Sequence, residues 1–97
     1  MTEVGARQAR EVADPEVVFA VVRAAVARVL ELDPAQVRRD CRLAEDLGAD
    51  SLALVEIAEL VEETLRTLVA TRFRFDDAEL DELATVGDAV AYALARL

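Results

Sequence analysis

Residues 50 to 68 read Asp-Ser-Leu-Ala-Leu-Val-Glu-Ile-Ala-Glu-Leu-Val-Glu-Glu-Thr-Leu-Arg-Thr-Leu, and the reading of this stretch decides the fold. Leu54, Ala58, Val61, Leu65 and Leu68 recur at steps of four, three, four and three residues, the spacing that lines up side chains on one face of an α-helix. Glu56, Glu59, Glu62 and Glu63 fall on the opposite face. The pattern predicts a helix with a buried apolar stripe and an acidic, water-facing side. Asp50 and Ser51 stand at its start, where a side-chain oxygen satisfies an otherwise unpaired first-turn amide.

Upstream, Asp14, Pro15 and Glu16 form a second helix start: an oxygen cap, a residue whose missing N–H costs nothing in the first turn, and an acid at the positive helix end. Val18, Val22, Ala25, Val29 and Leu32 carry its buried stripe to about Leu32, with Arg23 and Arg28 facing water. Asp33 and Pro34 repeat the start signal for a short helical turn that drops Val37 back onto this helix. Residues 38 to 49 then read as a long loop tied down by Leu43 and Leu47 and turned by Gly48, which tolerates backbone angles other residues avoid. Downstream, residues 71 to 75 alternate polar and apolar side chains, but an isolated pentad has no partner strand and is read as an extended connector. Asp76 and Asp77 cap a short third helix holding Leu80 and Leu83. Thr85 and Asp88 form a capping box for a fourth helix lined by Val86, Val90, Ala93, Leu94 and Leu97. The expected architecture is an all-α, antiparallel four-helix bundle with a short third helix and a long loop between helices one and two.

Composition narrows the function. A chain of 97 residues suits one domain, expected at 14–97 behind a flexible tail at 1–13 that lacks periodicity. Twenty acidic residues stand against eleven basic ones, giving a net charge of −9, and such a surface repels nucleic-acid phosphates. Between Arg42 and Arg66 lie Glu45, Asp46, Asp50, Glu56, Glu59, Glu62 and Glu63 with no basic residue among them. That stretch should attract basic partners. Cys41 is the only cysteine and histidine is absent, so neither an internal disulfide, a Cys/His nucleophile pair nor a Cys/His metal site is expected. The start of the chain has no apolar signal core, and no later run approaches the roughly 20 apolar residues of a membrane span. A cytoplasmic monomer is the expectation.

Residues 40 to 52, Asp-Cys-Arg-Leu-Ala-Glu-Asp-Leu-Gly-Ala-Asp-Ser-Leu, carry a resemblance to the acyl carrier protein family. Asp40, Leu43, Asp46, Leu47 and Gly48 stand where that family's pattern places them, ahead of the Asp50-Ser51-Leu52 triplet. The likeness extends over roughly residues 17 to 97 through the Val37 anchor, the acidic second helix and the Thr85-Val86 start of the last helix. It implies that Ser51 accepts 4′-phosphopantetheine from coenzyme A, and that the arm's thiol then holds acyl groups as thioesters in fatty acid or polyketide biosynthesis. No general base accompanies Ser51, since histidine and lysine are both absent, so a self-acting serine enzyme is not supported. The chain is read as a non-catalytic carrier modified by a phosphopantetheinyl transferase. Ketosynthases, acyltransferases and other synthase enzymes with basic docking surfaces are the implied partners. They are expected to read Asp50, Leu52, Val55, Glu56, Glu59, Glu62 and Glu63, in weak encounters steered by charge.

The sequence departs from the family pattern in two places. Glu59 and Ala53 stand where many carriers have an apolar and an acidic residue. About six extra residues lie near 66 to 71, where Leu68 predicts a helical extension with a buried leucine, and Phe73 and Phe75 follow. In the family the acyl chain often shelters between the second and third helices, so these aromatics bear on the depth of such a pocket. The run from Asp50 to Glu56 is closer to free-standing carriers of aromatic polyketide pathways than to a generic fatty acid carrier. Two rival readings are a peptidyl or aminoacyl carrier, against which Asp50 argues, and an unmodified acidic helical adaptor.

Overall fold

The computed structural model describes residues 14–69 and 72–97. The segment 1–13, read above as a tail, lies outside the described residues. Four helices follow in order: α1 at Pro15–Leu30, α2 at Ser51–Val69, α3 at Asp77–Leu80 and α4 at Val86–Arg96, with a 3₁₀ turn at Pro34–Gln36 after α1. The all-α bundle with a short third helix is therefore present. Among the described residues there is no β-strand, only one isolated antiparallel bridge between Arg42 and Thr85.

Each start signal works as its chemistry dictates. Asp14 accepts the Glu16 N–H at 2.8 Å and Asp33 accepts that of Ala35 at 2.9 Å. Asp76 accepts the Ala78 N–H at 2.9 Å, and Thr85 and Asp88 complete a reciprocal capping box. α1 stops two residues before the predicted Leu32. Glu31 takes a left-handed conformation at φ 55°, and the Leu32 N–H turns back to the Ala27 carbonyl at 2.9 Å.

α1 packs against both α2 and α4. Its first turns lie beside Leu60 and Thr64 and its last turn beside Glu56 and Glu59, so α1 and α2 run antiparallel. Val18, Val22 and Val26 from α1, Val61 and Leu65 from α2, and Val86 and Ala93 from α4 are almost wholly enclosed. Val37, the expected anchor, is buried among them. At roughly 1.5–3 kcal/mol for each enclosed aliphatic side chain, this shared centre supplies most of the apolar stabilisation of so small a domain.

The extension of α2 is helical as far as Val69, but Leu68 is 49% exposed and is not a core residue. This corrects the sequence reading. Leu68 continues the angular series of the buried stripe, yet Leu65 is the last member that has a neighbour to cover it. Helical periodicity fixes the direction of a side chain and says nothing of whether another element lies opposite.

Candidate functional site

The loop at 38–49 is fixed by its own backbone. The N–H groups of Asp46 and Leu47 both reach the Arg42 carbonyl, at 2.9 and 3.1 Å, and that of Gly48 reaches Ala44 at 3.1 Å. Gly48 sits at φ 75°, a left-handed angle that glycine adopts without cost. The Ala49 N–H then returns to Leu43 at 2.8 Å. Leu43 is buried and its own N–H bonds the Ala84 carbonyl, while Val86 and Gly87 donate to Cys41 and Arg39. These bonds stitch the loop to the start of α4. Leu47, the second expected tie, is half-buried against the core. Asp46 accepts the Arg42 N–H at 2.8 Å, and the Arg42 guanidinium pairs with Glu45 at 2.6 Å. Cys41 is buried, with its thiol 3.6 Å from the Gln36 carbonyl.

This turn delivers the chain to the start of α2. Asp50 is the cap, its carboxylate accepting the Ala53 N–H at 2.8 Å. Ser51 is the first helical residue and is exposed. Leu52 beside it is 68% exposed, a large apolar side chain left in water. Val55, one turn on, is also exposed, as are Glu56, Glu59 and Glu63. Asp50, Ser51, Leu52, Val55, Glu56, Glu59 and Glu63 thus share the accessible side of α2.

Glu62 does not belong with them. It is only 9% exposed, and its carboxylate accepts the Phe75 N–H at 2.7 Å. The acidic surface loses this member because Glu62 lies four residues after Ala58 and three before Leu65, both buried, which puts it at the edge of the apolar stripe. That flanking is the sequence signal that could have found it.

Beyond Glu62 stand the two phenylalanines that the sequence reading singled out, joined by a tyrosine it did not. Phe73 and Phe75 are buried, with ring centroids 5.0 Å apart, and Tyr92 of α4 stacks on Phe75 at 5.1 Å. The Tyr92 hydroxyl accepts the Asp76 N–H at 3.0 Å. Arg96 covers the outer face of Tyr92 at 3.5 Å and donates to Glu79 at 3.2 Å. An open groove of ≈ 490 Å³ runs between α2 and this connector, lined by Val55, Ala58, Glu62, Arg74, Phe75 and Leu80 among others.

Comparison with known proteins gives this geometry its context. The family described as the phosphopantetheine attachment site matches residues 20–93. An acyl carrier protein from Thermotoga maritima is 38% identical over 80 residues, 82% of this chain and 91% of that protein. The acyl carrier protein of Wolinella succinogenes is 35% identical over 75 residues, 77% of this chain and 91% of its own length. That of Sulfurovum is 35% identical over 74 residues. The chain belongs to the acyl carrier protein family. It is a carrier of acyl groups and not a catalyst, and its cofactor is covalently held phosphopantetheine. Acyl carrier proteins as a class work with synthase enzymes and transferases. An exposed serine on the first turn of a long helix fits such an arm, because the unpaired amides and partial positive charge of a helix start favour a phosphodiester. No described helix is long and apolar enough to cross a membrane.

Proposed function

We propose that Ser51 is the point at which a phosphopantetheinyl transferase attaches the arm, and that the carrier then presents acyl thioesters to synthase enzymes in the cytoplasm. The observation that carries this is the exposure of Ser51 at the end of a loop immobilised by its own backbone hydrogen bonds. A transferase needs a hydroxyl that is accessible and held in one place. Asp50 contributes by capping the helix, which holds the first turn rigid without occupying the hydroxyl. Incubation with coenzyme A, magnesium and a broad-specificity transferase is expected to raise the intact mass by one arm. An unchanged mass would favour the unmodified adaptor.

The docking surface in this reading comprises Leu52 and Val55 as apolar contacts, with Asp50, Glu56, Glu59 and Glu63 as the charged surround. Glu62 is excluded by its burial. Basic surfaces on ketosynthases, acyltransferases and the transferase itself complement this face, and long-range attraction raises the encounter rate without demanding a tight complex. Replacing Glu56 and Glu63 by Lys together is expected to slow acyl transfer to a cognate synthase about tenfold or more at low salt. Added salt should close the gap, because screening removes the wild-type advantage. Equal rates at low salt would place recognition elsewhere on the surface. The pathway is fatty acid or polyketide synthesis, with the run from Asp50 to Glu56 inclining the reading toward polyketides.

A further inference from the structure

The uncovered end of α2 borders a cleft that neither the arm nor the proposed synthase face uses. Leu60, Thr64 and Leu68 stand at four-residue steps, one above another on a single flank of the helix. Leu60 and Thr64 turn that flank toward α1, away from Val55 and Glu62, which border the connector. Opposite them lie Val17, Ala20, Val21 and Ala24 of α1, flooring an open cleft of ≈ 510 Å³. Because α1 and α2 run antiparallel, Leu68 lies one turn beyond Thr64 toward the start of α1. Val17 is 37% exposed and Leu68 49%, so two of the four exposed large apolar side chains among the described residues sit at this end. Glu16, which lines the same end, is paired with Arg39 at 2.8 Å.

The other end of the cleft is charged. Past Arg28 it is bordered by Glu31 of α1 and by Glu56, Glu59 and Glu63 of α2. Among the described residues neither Arg28 nor any of these carboxylates joins an ion pair. At 1.5 Å per residue the distance from Glu56 to Leu68 is roughly 18 Å, the length of about three helical turns. The cleft is thus apolar at one end, acidic at the other and long enough for a short helix.

We propose that this cleft is a second docking surface, which takes an amphipathic helix of a partner protein with aliphatic side chains along one face and Arg or Lys confined to one end. The aliphatic face covers Val17, Val21, Leu60 and Leu68, and the basic end meets Glu31, Glu56, Glu59 and Glu63. A helix laid in a groove is read through such anchors at three- and four-residue spacing. Arg28 stands where the two halves join and repels a cation placed at mid-helix, so the partner's charge has to be terminal. A second copy of this chain is the poorer occupant, since each copy carries a net charge of −9 and would bring carboxylates against carboxylates.

The probe is a stapled, fluorescently labelled synthetic helix of about twelve residues, with leucines at helical spacing and its arginines in the last turn. An isomer of the same composition carries the arginines in the middle turn. Each is titrated with the full, unmodified chain at low salt and followed by fluorescence anisotropy. The end-charged helix should bind about tenfold more tightly than its isomer. The Val17→Ser, Leu68→Ser double variant should weaken the end-charged complex about tenfold, the scale of uncovering aliphatic side chains. Leu52→Ser, on the proposed synthase face, should leave it unchanged. Should the double variant lose its helical circular dichroism, Leu68→Ser alone decides, with a loss of about threefold expected and none contradicting the proposal. Equal binding of the two isomers, binding of neither, or a loss in Leu52→Ser as large as that in the double variant would overturn it. Sedimentation equilibrium of the chain alone supplies the remaining check: a dimer that disappears in Leu68→Ser would give the cleft to a second copy and overturn the proposal too. None of these measurements uses the arm, so their failure leaves attachment at Ser51 untouched.

Discussion

The two irregular segments that flank α2 are held by different means. Residues 38–49, before it, are closed on themselves and onto α4 by main-chain hydrogen bonds, with Leu43 buried beneath. Residues 72–76, after it, receive two side-chain bonds from neighbouring helices, the Glu62 carboxylate at the Phe75 amide and the Tyr92 hydroxyl at that of Asp76, beside the packing of three rings. Main-chain bonds survive almost any substitution, because every residue but proline supplies the same donor and acceptor. Side-chain bonds vanish with one change. The main-chain bonds that shape the segment before α2 thus withstand substitution, whereas the two side-chain bonds to the segment after it do not.

The comparison is broken most severely at Leu43. Leu43→Ala leaves a cavity under the loop and should lower stability by about 2–4 kcal/mol. It should also slow arm addition, because Ser51 is then no longer held in one place. Chemical denaturation with an unchanged slope, beside a loading time course, measures both effects. A destabilised variant that loads at the wild-type rate would show that the loop does not position the serine. On the other side of α2, Tyr92→Phe removes one hydroxyl while keeping the stacked ring. It should cost about 0.5–1.5 kcal/mol and leave arm addition unchanged. If Tyr92→Phe impaired loading, the two segments would not be independent. Leu68→Ala lies past the last covered position of α2 and should change stability by less than about 0.5 kcal/mol. A loss of several times that size would mean that Leu68 is covered after all.

Most of the fold was legible because it is written in local chemistry. Asp14, Asp33, Asp76 and the Thr85–Asp88 pair announce helix starts through bonds spanning two or three residues, and each bond is present. Gly48 announces its left-handed turn in the same way. The exposure of Ser51, Leu52 and Val55 likewise follows from their place on the acidic side of one helix. What the sequence misjudged depends on relations between distant elements. Glu62 reads as solvent-facing until the connector folds back across α2 and offers it the Phe75 amide. Leu68 reads as core until α2 proves to outrun its cover. Tyr92 carries no signal at all in its own helix, since its role exists only where the connector crosses α4. The proposed docking face could be drawn from α2 alone, but the cluster of Phe73, Phe75 and Tyr92 required separate stretches of chain in one place.

The central claim, that this carrier bears its arm on Ser51, is tested most directly by locating the modification. After loading from coenzyme A, fragmentation of the peptide spanning residues 43 to 66 should place a single arm on Ser51, and Ser51→Ala should retain its helical circular dichroism and gain no mass. An arm found on Thr64 or any other residue, or a Ser51→Ala variant that still gains one, would contradict the account.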